Sequence, residues 1–127
     1  MDAERLTQDA LGLPRQQRLE LVRELQRSFV QDRPVAERLS WMVDAMNGIV
    51  GFDIRTQSRK REYVRARDIV AYEARREGFR YADIGAALGL HHSTVVLAFQ
   101  DMEYVLSEGR AFYNDYYELR EKFKKAI

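Results

Sequence analysis

The sequence predicts an all-α protein, a helical bundle that contains a helix-turn-helix and carries an N-terminal helical extension. Three observations lead there. Apolar residues recur at helical spacing along the whole chain, and no stretch shows the strict alternation of a strand. Residues 84–95, Ile84-Gly85-Ala86-Ala87-Leu88-Gly89-Leu90-His91-His92-Ser93-Thr94-Val95, are spaced as two short crossing helices joined by a tight turn. The 127 residues are 46% hydrophobic and 32% charged, enough apolar content for one modest core.

Helices are expected in order at residues 2–11, 14–30, 35–50, 61–77, 82–88, 92–107 and 111–125. The second starts at Pro14, a residue suited to a first helical turn, and shows an apolar face of Leu19, Val22, Leu25 and Phe29. The third follows the Asp32-Arg33-Pro34 turn with Val35, Leu39, Met42, Val43, Met46, Ile49 and Val50 at helical spacing, and Gly48 and Gly51 loosen its end. Residues 51–61 are polar and basic, which places the boundary there: 1–52 as an N-terminal helical segment and 53–127 as the second part. The fourth helix packs inward through Ala66, Ile69, Val70 and Ala74 and stops at Gly78. Gly109 bends the chain before a last helix rich in aromatic residues, Phe112, Tyr113, Tyr116, Tyr117 and Phe123, a stripe that reads first as core.

Within the central motif, Ile84, Leu88, Leu90, Val95 and Ala98 take the contact positions of two crossing helices. Gly85 leaves room for the second helix, and Gly89 supplies the positive φ that ends the first. His92, Ser93 and Thr94 then fall on the opening turn of the second helix, where such a helix presents side chains to base edges in a DNA major groove. A plain helical hairpin would need only Gly89.

The formal net charge is +1, but its distribution is uneven. Between Arg55 and Arg80 nine basic residues face four acidic ones, so this block carries +5 immediately before the motif. Such a patch is the electrostatic footprint of phosphate neutralisation. With no cysteine, disulfide scaffolds and thiolate metal sites are excluded and a reducing cytoplasm is expected. No apolar run reaches membrane-spanning length, and Met1-Asp2-Ala3-Glu4-Arg5 lacks the layout of a signal peptide, so no membrane association is expected.

Enzymatic readings fare poorly. His91 and His92 are the only histidines and point about 100° apart on a helix, which is not the i, i+4 pair of a metal helix. His92, Ser93 and Asp101 on one helix cannot converge as nucleophile, base and orienter. No catalytic residue, cofactor or metal is therefore expected.

Residues 59–102 resemble the C-terminal DNA-binding domain of the bacterial chromosomal replication initiator DnaA, a Trp-repressor-like helix-turn-helix. The match lies in Val64-Arg65-Ala66-Arg67-Asp68-Ile69, then Asp83-Ile84-Gly85-Ala86-Ala87-Leu88-Gly89, then His92-Ser93-Thr94-Val95. It implies sequence-specific binding of double-stranded DNA in replication or transcriptional regulation. It also implies Arg67 as a minor-groove arginine, His91, His92, Ser93 and Thr94 at base edges, and Arg59, Lys60, Arg61, Arg65 and Arg75 at phosphates. The chain departs from that pattern in three places. His91 stands where an aspartate is usual, the turn is one residue shorter with Leu90 in place of an arginine, and Gln100 and Asp101 replace basic residues late in the reading helix. Histidine at 91 is expected neither to cap that helix well nor to accept from cytosine. There is no Gly-rich phosphate loop ending in Lys-Ser/Thr, so no ATPase is expected. The alternative is a helical interaction module, an antitoxin-like or dimerising regulator, in which residues 14–30 bind a protein partner or a second copy and the motif is only a hairpin.

Overall fold

A computed structural model describes Gln17 and residues 34–127, and the helices expected at 2–11 and 14–30 lie outside the described residues. The chain divides into two units at Pro34, and everything below concerns the second, Val35–Ile127. Its regular structure is five helices with no strand among the described residues: α1 Val35–Val50, α2 Arg61–Arg76, α3 Tyr81–Leu88, α4 His92–Glu108 and α5 Asn114–Ala126. The all-α class and the helix-turn-helix are those the sequence predicts.

The core forms where the apolar faces of these helices meet. Leu39, Met42, Val43 and Met46 enter it from α1, and Ala66, Ile69, Val70, Ala71 and Ala74 from α2. Ile84 and Leu88 come from α3, Val95, Ala98 and Met102 from α4, and Phe123 from α5. Small alanines along one face of α2 let its neighbours approach closely, which explains a central helix that is poor in large apolar side chains.

Helix α1 thus shares one core with α2, α3 and α5, and the boundary expected at 52/53 falls inside this unit. Residues 51–61 are polar because they form a surface connection, anchored by Ile54, which is fully buried. Asn47 on α1 accepts from the Ile54 backbone N–H at 2.9 Å and holds that anchor in place.

The terminal aromatic stripe divides. Phe123 is fully buried, and Tyr116 and Leu119 pack against the core beside it, whereas Phe112 is exposed in the connection before α5. Helix α5 is latched to α2 by Arg120, whose Nε donates to Glu73 Oε1 at 2.6 Å. Glu73 is 6% exposed, so this pair is shielded from solvent and its two partners depend on each other.

Candidate nucleic-acid interface

Helices α3 and α4 form the helix-turn-helix, with the chain bending by 99° between them. Gly89 ends α3 in the left-handed region at φ 71°, ψ 31°. The Leu90 N–H then donates to Gly85 O at 2.8 Å, folding the turn back onto α3. A Cβ at position 85 would stand 2.5 Å from the Leu90 carbonyl oxygen, so the backbone itself occupies the space a side chain would need. Both glycine roles expected from the sequence hold.

The turn delivers the chain to His91, the N-cap of α4. The Ser93 backbone N–H donates to His91 Nδ1 at 3.2 Å, and the Ser93 Oγ lies 2.8 Å from the same nitrogen. With the backbone donor fixed, Nδ1 is the acceptor and the ring proton sits on Nε2. The expectation that histidine would not cap this helix is corrected: one ring nitrogen does what a capping carboxylate would do. The His92 ring lies against it, centroids 4.2 Å apart. His91, His92, Ser93 and Thr94 are all exposed, a contiguous polar surface at the mouth of the helix.

The basic residues split by what they touch. Arg59, Lys60 and Arg61 stand exposed at the start of α2. Arg67 turns back instead: its guanidinium donates to the carbonyls of Ile54 at 3.3 Å, Thr56 at 2.7 Å and Ser58 at 2.6 Å. Here the residue expected in a minor groove clamps the connection between α1 and α2, because backbone carbonyls in a loop without helical partners offer acceptors to a five-donor fork. Gln57, on the same connection, donates from Nε2 to Gly89 O at 3.2 Å. The segment that carries the exposed cations is thereby fastened to the turn of the motif.

Arg65 and Arg75, expected at phosphates, also have internal partners. Arg65 lies beside Asp115 of α5 at 3.6 Å and over the Tyr116 ring at 5.3 Å. Arg75 donates to Phe79 O at 3.1 Å while covering the Tyr81 ring at 4.3 Å. Charge patterning counts these cations with the others, and only the fold shows which are spent on packing.

Two features lay outside the expected set. Asp68 on α2 is 7% exposed, and burial, reinforced by the charge of Asp101 on α4, pushes its carboxyl up to about 7 from an ordinary 3.8, while Arg67 pulls the other way. Leu97 on α4 is 60% exposed although Val95 and Ala98 beside it are buried. Its position three residues beyond Thr94 was the available signal, since i and i+3 share a helix face.

Among the described residues no group of three His, Cys, Asp or Glu comes together as a metal site. Nor is any single helix there long and apolar enough to cross a membrane.

An exposed polar helix opening set at a sharp turn, with three exposed cations on a segment fastened to it, is the arrangement of a DNA-binding helix-turn-helix. No curated protein and no solved structure matches the chain. The family model for the bacterial DnaA protein helix-turn-helix matches residues 37–101, just over half of it, from the first turn of α1 into the middle of α4. The chain belongs to the bacterial DnaA helix-turn-helix family.

Proposed function

We propose that the protein binds double-stranded DNA sequence-specifically, in the cytoplasm, in control of replication or transcription and without ATPase activity of its own. In this reading the opening turn of α4 enters the major groove. His91, His92, Ser93 and Thr94 face base edges, and Arg59, Lys60 and Arg61 hold phosphates on the flank. The observation that carries it is the contiguous exposure of those four residues on the first turn of α4, beside exposed cations fastened to the same turn by Gln57. Because Arg67 is committed to three carbonyls, any minor-groove contact falls to the exposed group Arg59-Lys60-Arg61 at the head of α2. Residues 1–34 carry, in this proposal, the contacts to a partner protein or to a second copy.

Fluorescence anisotropy with a random duplex and a selected duplex, at several salt concentrations, tests the reading. With about three to five phosphates neutralised, log K against log salt should slope near −3 to −5, and ATP should change nothing. His92→Ala and Thr94→Ala should cost about 1–3 kcal/mol on the selected duplex and little on the random one. Undetectable binding to any duplex at about 50 mM salt would overturn it.

A further inference from the structure

Helix α4 has two faces along its whole length. Val95, Ala98, Met102 and Val105 are buried, and at the same periodicity on the opposite side Ser93, Leu97, Gln100 and Tyr104 are exposed. Leu97 is the anomaly on that side: a large aliphatic side chain, 60% exposed, one helical turn beyond the residues placed at base edges above. Helical rise puts it about 4.5 Å further along the axis than Thr94. Base pairs stack about 3.4 Å apart, so Leu97 meets the groove one or two base pairs away.

The groove restricts what it can meet there. Apart from the small C–H positions of cytosine and the purines, the groups presented in the major groove are hydrogen-bond donors or acceptors, and the one projecting apolar group is the 5-methyl of thymine. An aliphatic side chain pressed against any other edge would strip water from a polar atom and return no hydrogen bond. Beyond Leu97 the exposed surface of α4 becomes acidic, with Asp101, Glu103 and Glu108, which opposes close approach of phosphates. Leu97 and Gln100 are thus the last uncharged exposed positions on α4 before the acidic surface begins, and of the two only Leu97 is apolar.

We propose that Leu97 is a specificity-determining residue that reads a thymine 5-methyl group one or two base pairs from the contact of Thr94. The proposal rests on the DNA-binding reading. It concerns an aliphatic contact one turn beyond the His-Ser-Thr opening, whose imidazole and hydroxyl groups read by hydrogen bonds and whose one apolar group is the Thr94 methyl.

The test removes the methyl group alone. A duplex selected from a random pool is titrated with the wild-type protein and with Leu97→Ala, and each thymine in the site is replaced in turn by deoxyuridine, which pairs identically but lacks the methyl. At one thymine the wild type should lose about 3- to 10-fold in affinity on replacement. Leu97→Ala should bind the thymine duplex as weakly as the wild type binds the uracil one, and should no longer distinguish the two. Leu97→Met, which keeps an apolar side chain of similar size, should restore part of the discrimination. Because Leu97 is exposed, thermal unfolding of both variants should match the wild type. Equal binding of thymine and uracil duplexes by the wild type at every position, or discrimination that survives in Leu97→Ala, overturns the role of Leu97 while leaving DNA binding intact. Absence of binding to all duplexes overturns the DNA-binding reading itself and this proposal with it.

Discussion

Gln57 Nε2 donates to the carbonyl oxygen of Gly89 at 3.2 Å, joining two positions 32 residues apart in the chain. Position 57 lies in the connection that leads to Arg59, Lys60 and Arg61, and Gly89 is the residue at which α3 ends. The flanking cations and the reading helix are therefore held in one frame, and three carbonyls on Arg67 hold that frame to α2.

Removing the clamp should separate positioning from charge. Arg67→Ala should destabilise the protein by about 1–3 kcal/mol in urea unfolding, because three carbonyls lose a charged donor. It should weaken selected and random duplexes together while leaving the salt slope unchanged, since Arg67 neutralises no phosphate in this arrangement. Arg59→Ala should instead lower the slope by about one. A drop in slope for Arg67→Ala would show that the clamp opens on DNA.

The turn tolerates no side chain at position 85. Alanine there would gain up to about 1 kcal/mol in helix propensity over glycine. A Cβ 2.5 Å from the Leu90 carbonyl cannot be relieved by a rotamer change, because the obstacle is backbone. Gly85→Ala should cost more than about 2 kcal/mol net, visible as a lower urea midpoint. An unchanged midpoint would mean that the two helices can move apart at no cost.

Asp68 makes stability depend on pH in an uncommon direction. Burial, then the charge of Asp101, raises its carboxyl from 3.8 to about 7, so between these values the folded chain holds a proton that the unfolded chain has released. Native protein binds more protons there, and stability falls as pH rises through that window, being fully present below about pH 4. Asp68→Asn should remove this slope and stabilise the protein above pH 7 by on the order of a few kcal/mol. Unfolding at pH 5 and pH 8 measures it, and equal effects of the substitution at both would refute the burial argument.

His91 presents a donor where aspartate would present an acceptor. Its Nδ1 is occupied by Ser93, leaving Nε2–H as the donor of an exposed residue. Aspartate could cap the same helix and would accept from the amino group of cytosine. His91→Asp should fold normally and gain a cytosine preference in selection from random duplexes. The same cytosine requirement in both proteins would exclude position 91 from base contact.

The motif was legible in the sequence because its determinants are local. Gly85, Gly89 and the apolar positions around them each answer a steric demand made within about ten residues. The membership of α1 in this core was not, since its apolar face is that of any packed helix and the polar stretch after it resembles a linker until Ile54 is seen buried. Arg65 and Arg75 were counted as phosphate ligands, and Arg67 as a minor-groove arginine, for a related reason. A sequence records that an arginine carries charge, but not whether a carbonyl, a ring or a carboxylate lies within its reach. The cap at His91 escaped notice because capping preferences rank side chains by what is usual, and imidazole qualifies only in one tautomer.

The division of α4 into a buried side and an outer side has a consequence for how this protein can change. Val95, Ala98 and Met102 answer to the core, while His91, His92, Ser93, Thr94 and Leu97 make almost no demand on it. Target preference and foldedness are inherited through separate residues. A lineage can therefore drift from one DNA site to another through substitutions that cost little stability so long as residue 91 still caps α4, and a library randomised at the other four positions with the core and the cap left intact should yield mostly folded members.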